Sequence, residues 1–174
     1  MTTSSAALSK AQPTIDTLTL SEIPLDADVQ AVMALVTKAG VFSDTEIAVA
    51  GDLVADALSG EDEYYFVFYH APDRSLAGYS CYGPICLTKS AYDLYWIAVD
   101  PAYRGTGLAE KILKLSHERI AKSGGDQVYA ETSSLPYYEP ARKFYLKQGY
   151  TELVRMKDFY KPGDDKVVFR KDVR

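Results

Sequence analysis

The chain is poor in the residues that several common chemistries require. Its two cysteines, Cys81 and Cys86, lie five positions apart on one strand and its turn, too close to staple the fold, so they read as buried free thiols in a reducing setting. Its two histidines, His70 and His117, fall on different elements, which leaves no zinc pattern and no histidine near a cysteine to make a nucleophile. No run approaches 18 apolar residues, and residues 1–13 are polar with a single lysine, arguing against a membrane span or a secretory signal and for a disordered tail. Positive charge is also short: 19 Lys and Arg against 24 Asp and Glu give a formal net charge of -5. That balance disfavours nucleic acid and a membrane surface, and it suits cationic or amine partners in the cytoplasm. At 174 residues, one domain over 14–174 can bury a core.

What is present is a regular alternation of strand and helix signals. Thr14 to Leu20 reads as a first strand. Asp26 and Asp28 suit the start of a helix that ends at Gly40. Ser43 and Glu46 have capping-box spacing and announce a second helix, stopped by Gly60. Glu63 to His70 and Ser75 to Tyr82 read as a hairpin, interrupted by Gly83-Pro84. Tyr92 to Val99 is nearly continuous in apolar residues, which predicts a central strand covered on both faces. Leu108, Ile112, Leu115 and Ile120 form one helical stripe. Gln127 to Thr132 is then a strand parallel to Tyr92–Val99 through a crossover. A helix at about 140 to 148 and strands at Tyr150–Tyr160 and Lys166–Arg170, flanking a five-residue turn-rich loop, complete the chain.

The most informative stretch joins Val99-Asp100-Pro101 to Arg104-Gly105-Thr106-Gly107-Leu108-Ala109. Small residues at 105, 107 and 109, between a strand and a helix, let the backbone approach a ligand while helix-start amides point at it. An anion gains from both donors and dipole. The spacing is not a P-loop, which needs Gly-Lys-Ser/Thr, nor a dinucleotide fingerprint, which needs a third glycine. Downstream, Ala141 to Tyr150 makes a short helix that carries Tyr145 and closes on Gly149-Tyr150, where a left-handed residue is needed.

Arg104, Gly107 and Ala109, followed about 40 residues later by the Tyr145 helix, resemble the two signatures of the GNAT superfamily of N-acetyltransferases. The resemblance implies an α/β fold: a mixed sheet of about seven strands with helices on both faces, in the order β-α-α-β-β-β-α-β-α-β-β. It implies acetyl-CoA as co-substrate, with no metal. Ile97, Ala98 and Val99 would meet the pantetheine arm, as an added strand would. Arg104, Gly105, Thr106, Gly107, Leu108, Ala109 and Glu110 would hold the pyrophosphate. Dimerisation is common in such folds and leaves a homodimer open.

Transfer of an acetyl group to an amine by direct attack in a ternary complex needs a neutral amine, a supported carbonyl oxygen and help for the departing thiolate. A lysine-type amine with a pKa of about 10.4 costs roughly 4 to 5 kcal/mol to deprotonate at pH 7, an α-amine of about 8 only about 1. The resemblance places Tyr145 beside the sulfur; with 14 tyrosines in the chain, its other reading is a core aromatic. For the base, Asp93 lies four residues before Ile97, on the same face of a regular strand, and Glu131 ends the next strand. Each could equally be a solvated strand-end charge, and a water chain is the third option. Phe42, Glu46, Tyr95, Tyr137 and Tyr138 are the expected substrate wall, with Glu46 better explained as a cap. The rival from another class is an acyl-CoA sensor without turnover; a hydroxyl acceptor or a longer acyl group also stays open.

Overall fold

The local signals become elements through a few identifiable contacts. In the computed structural model, which describes residues 13–60 and 62–174, the chain runs β1 (Thr19–Ser21), α1 (Asp26–Ala39), α2 (Asp44–Ser59), β2 (Tyr65–His70), β3 (Leu76–Pro84), β4 (Ala91–Val99), α3 (Leu108–Lys122), β5 (Gln127–Ser133), α4 (Glu139–Lys147), β6 (Thr151–Lys161) and β7 (Asp164–Asp172). The tail expected over 1–13 lies, apart from Pro13, outside the described residues. Helix α1 starts where the Leu25 amide donates to Asp28 at 2.9 Å. Helix α2 starts on the expected capping box, with the Ser43 amide donating to Glu46 Oε2 at 2.8 Å and the Glu46 amide to Ser43 Oγ at 3.3 Å. Gly40 and Gly60 close the two helices at φ 76° and 75°, left-handed values that an L side chain adopts only with strain.

The seven strands form one sheet in the order β1-β2-β3-β4-β5-β7-β6. Among the described residues only β4 and β5 pair in parallel, as the intervening α3 requires. Each face has its own core. On one side α3 buries Leu108, Ile112, Leu113 and Ile120 against Val67, Leu94, Val128, Val167 and Phe169, with Tyr145 and Tyr150 beside them. On the other, α1 and α2 bury Val32, Val36 and Val54 against Phe66, Phe68, Tyr79 and Ala98. Full burial of each Val, Leu, Ile or Phe among these contributes about 1.5 to 3 kcal/mol.

Four expectations are corrected. The first strand shrinks, because Thr14 Oγ1 accepts from the Asp16 amide at 3.2 Å and winds Ile15–Thr17 into a 3₁₀ turn, leaving only Thr19–Ser21 as strand. The third strand runs through Gly83 and Pro84; Gly83 passes so near Glu63 that a Cβ would lie 2.6 Å from its carbonyl oxygen. The final loop contracts to Pro162 and Gly163, since Lys161 already pairs with Asp164. Cys86 is exposed, and only Cys81 is buried.

Candidate active site

The site begins where two strands part. Pairing between β4 and β5 stops at Leu94 and Ala130, although β4 continues to Val99 and β5 to Ser133. The backbone edge of β4 beyond Leu94 therefore faces a gap rather than a neighbour. On the other side of β4, register with β3 jumps from Cys81↔Trp96 to Tyr82↔Leu94, so Tyr95 is an extra, bulged residue. The bulge reverses the alternation: Tyr92 and Leu94, then Ile97 and Val99, pack on the α3 side, while Trp96 and Ala98 pack on the α1–α2 side. Asp93 consequently does not share a face with Ile97, contrary to regular strand spacing. Nor is β4 covered throughout: Tyr95 is 38% exposed in the gap.

At the mouth of the gap lies the glycine loop. Asp100 Oδ1 accepts from the Ala102 amide at 2.8 Å, and its other oxygen takes Lys38 Nζ at 2.6 Å, so the end of α1 and the start of the loop are tied together. Arg104 Nη2 donates to the Ala39 carbonyl at 3.2 Å and reinforces that link. Gly105 and Gly107 have φ 79° and 87°, and a Cβ on either would meet no protein atom within 4 Å. The first α-type bond of α3 runs from Lys111 N to Gly107 O at 3.0 Å, so the amides of Leu108, Ala109 and Glu110 precede the intrahelical ladder. Bare amides beside open space are the donor set a diphosphate needs.

A cavity of about 840 Å³ occupies the gap. Its wall brings together Ile97, Ala98, Val99, Arg104 and Ala109 from the cofactor set, Tyr145 and Glu131 from the catalytic set, and all five expected substrate residues. Gly105, Thr106, Gly107, Leu108, Glu110 and Asp93 are not on the wall. Thr106 Oγ1 turns back to the Tyr103 carbonyl at 2.7 Å, and Leu108 is 1% exposed in the core. As donors to an anion, those two residues can therefore offer only main chain.

Tyr145 is buried among Tyr150 and Phe169, with ring centroids at 5.3 and 5.5 Å, and burial pushes its phenol well up. Its hydroxyl makes no hydrogen bond to the described residues, so it is both a core ring and an unspent donor on the cavity wall. Glu131 is ion-paired with Lys166. Asp93, half-buried behind it, has its carboxyl raised by burial and then by the Glu131 charge, with Lys166 opposing.

Glu46 combines two functions. Burial pushes its carboxyl up, but the Ser43 amide, the Ser43 hydroxyl and the Tyr138 hydroxyl, the last at 2.9 Å, reverse this and leave it lowered. It caps α2 and still forms cavity wall. Phe42 lies 5.2 Å from Trp96 and 6.2 Å from Tyr138, giving the cavity an aromatic side, and Tyr137 lies tilted against Tyr138 with ring centroids 4.9 Å apart.

Sequence reasoning missed Trp96, Ser133, Tyr160 and Asp164 on this wall. Tyr160 arrives because four residues of β6, 157 to 160, oppose a single residue of β7 between the pairs Met156↔Lys166 and Lys161↔Asp164. Asp158, at φ 54°, pins this bulge by accepting from the Gly163 amide at 2.7 Å, and its own amide donates to Asp165 at 2.9 Å. The Pro162-Gly163 pair was the available signal, since Pro followed by Gly, here at φ 82°, suits a two-residue turn that would start the last strand at Asp164.

The model of the acetyltransferase (GNAT) domain family matches residues 61–152, just over half of the chain. Among solved structures, the chain is similar to a candidate acetyltransferase of the GNAT family from Desulfovibrio desulfuricans, with 37% identity over 90% of this chain and 99% of that one and a TM-score of 0.86. In fold it is similar to the ribosomal-protein-S18-alanine N-acetyltransferase from Escherichia coli, at 17% identity, 90% and 94% coverage and a TM-score of 0.69. It is likewise similar to Ard1 from Thermoplasma volcanium, at 16% identity, 91% and 99% coverage and a TM-score of 0.72. No curated protein matches. Among the described residues, no helix is long and apolar enough to cross a membrane, and no group of three or more His, Cys, Asp or Glu is placed to hold a metal ion.

Proposed function

The chain belongs to the GNAT family of acetyltransferases, and from that premise we propose that it transfers the acetyl group of acetyl-CoA to a primary amine by direct attack. The observation that carries this reading is the parting of β4 from β5 with bare helix-start amides at its mouth. The loop from Arg104 to Glu110 holds the diphosphate through main-chain nitrogens, and the open edge of β4 at Ile97 to Val99 pairs with the pantetheine amides. The bulge at Tyr95 supports this, because it falls directly after Leu94, the last residue of β4 paired with β5, and bends the strand where the gap opens.

In the reaction a nitrogen–carbon bond forms and a carbon–sulfur bond breaks. The Val99 amide supports the carbonyl oxygen as negative charge develops on it. The Tyr145 hydroxyl donates a hydrogen bond to the departing sulfur; with its phenol raised by burial, hydrogen bonding rather than full proton transfer is its contribution. Glu131, on the cavity wall, receives the amine proton directly or through water. Asp93, off the wall, keeps a raised carboxyl behind it and acts through charge.

The test has two parts: calorimetric titration with CoA, then mass detection of acetylated product across primary amines that include peptide N-termini and aminoglycosides. Mass detection is required because the exposed Cys86 thiol would react with thiol reagents. Saturable CoA binding with a mass gain of one acetyl group on an amine is the expected result. Binding without product across the panel would favour a sensor, and absence of binding would overturn the assignment of the loop.

A further inference from the structure

The three carboxylates on the cavity wall are held in different ways. Glu46 is occupied by Ser43 and Tyr138, and Glu131 by Lys166. Asp164 differs from both. It is 5% exposed, and its side chain accepts one hydrogen bond, from Ser133 Oγ at 2.5 Å. Among the described residues no lysine, arginine or histidine forms an ion pair with it, including its exposed ladder partner Lys161. A carboxylate taken from water without a cation is costly, and a ligand cation placed against it removes that cost.

The surroundings suit such a cation. Asp164 opens the last strand beside the end of β5, where Ser133 fixes one of its oxygens, so the carboxylate is held in place before any ligand arrives. Tyr160 and Tyr138 flank this end of the cavity, and aromatic faces attract cations. The negative potential here is shared. Burial raises the Tyr160 phenol first, and the charges of Glu131, Asp164 and Glu46 add to it.

We propose that Asp164, steadied by Ser133 and backed by Glu131 and Tyr160, is a cation subsite that selects acceptors carrying a second positive group, namely small diamines and polyamines. This rests on the reading of the cavity as an amine site. A void of about 840 Å³, shared with the pantetheine end, suits a small flexible chain. One amine of such a substrate lies in the gap between β4 and β5 while the other is neutralised at Asp164.

The experiment compares 1-aminobutane with linear diamines of three to six methylenes, reading affinity by calorimetry on the CoA-loaded protein and acetyl product by mass with acetyl-CoA supplied in its place. The expected result is at least about tenfold tighter binding of the best diamine than of 1-aminobutane, with the same preference in kcat/KM carried mainly by KM. Asp164→Asn, which keeps the shape and the Ser133 contact, should bring the ratio to within about threefold of one, and Asp164→Glu should recover part of it. Glu131→Gln, at an exposed position that cannot unfold the core, should reduce the ratio severalfold. Equal affinity for monoamine and diamine in the wild type overturns the subsite, as does an unchanged ratio in Asp164→Asn. Diamine preference in binding without any acetyl product supports the subsite while refuting transfer to amines.

Discussion

His117 offers a sharp test of the packing between α3 and Tyr150, the residue that leads into β6. It sits partly buried on α3, with Nε2 2.7 Å from the Tyr150 hydroxyl and its ring 5.6 Å from the Tyr150 ring. Burial, and then the nearby Lys171 ammonium, lower its pKa to about 4. The unfolded value is about 6.5, so the unfolded chain takes up a proton in a range where the folded one refuses it. The native state holds His117 neutral and hydrogen-bonded through Nε2 to Tyr150, and protonation would put a charge into a buried site beside the Lys171 ammonium. Stability tied to this residue is therefore fully present above about pH 7 and is lost as pH falls from 6.5 towards 4. Linkage between those two values gives a loss of roughly 1 to 2 kcal/mol at pH 5.5 and about 3 kcal/mol by pH 4. Urea denaturation of wild type and His117→Gln at pH 7.5, 5.5 and 4.5 measures it, because the difference between the two proteins cancels the other titrating groups. With a urea slope of about 2 kcal/mol per molar, the gap between the two midpoints should change by about 0.5 to 1 M from pH 7.5 to 5.5. A gap independent of pH would show that His117 is hydrated in the native state and that its contact with Tyr150 is looser than described.

Gly107→Glu should raise the Kd for CoA at least about 30-fold, because it places a carboxylate in the open space above the loop, and two like charges about 4 Å apart repel by about 1 kcal/mol in water and about 4 kcal/mol near a protein surface; calorimetry at two salt concentrations would read it, and unchanged affinity would move the phosphate site elsewhere. Tyr145→Phe should lower kcat about 10- to 100-fold with CoA affinity within about twofold and little change in Tm, since the hydroxyl has no partner among the described residues. Parallel loss of CoA affinity and turnover in that variant would mark Tyr145 as packing alone.

The readable parts of this chain were those governed by local chemistry. Ser43 and Glu46 announced a helix start because the cap is made within four residues. Gly149 announced a helix end because only a left-handed residue fits there, and it adopts φ 81°. The parallel pairing of β4 with β5 followed from the helix between them. What local pattern does not carry is register. The extra residue at Tyr95 leaves the apolar composition of the strand unchanged, yet it turns Asp93 to the opposite face from Ile97. Asp164 and Tyr160 read as turn and strand residues, because their place on the cavity wall depends on a two-residue turn and a bulge that appear only when β6 and β7 are paired. Thr14 shows the reverse case, in which a β-prone residue spent its hydroxyl on a nearby amide and ended a strand before it began.

The unzipped edge of β4 has a consequence for how such a protein can change over generations. A groove whose recognising atoms are peptide nitrogens and oxygens presents the same chemistry whichever side chains sit at 97 to 99, provided the strands still part beyond Leu94. Substitution elsewhere on the cavity wall, at Phe42 or Tyr137, can reshape its far end without touching those atoms. Novel specificities can thus be tried one at a time on a fixed chassis.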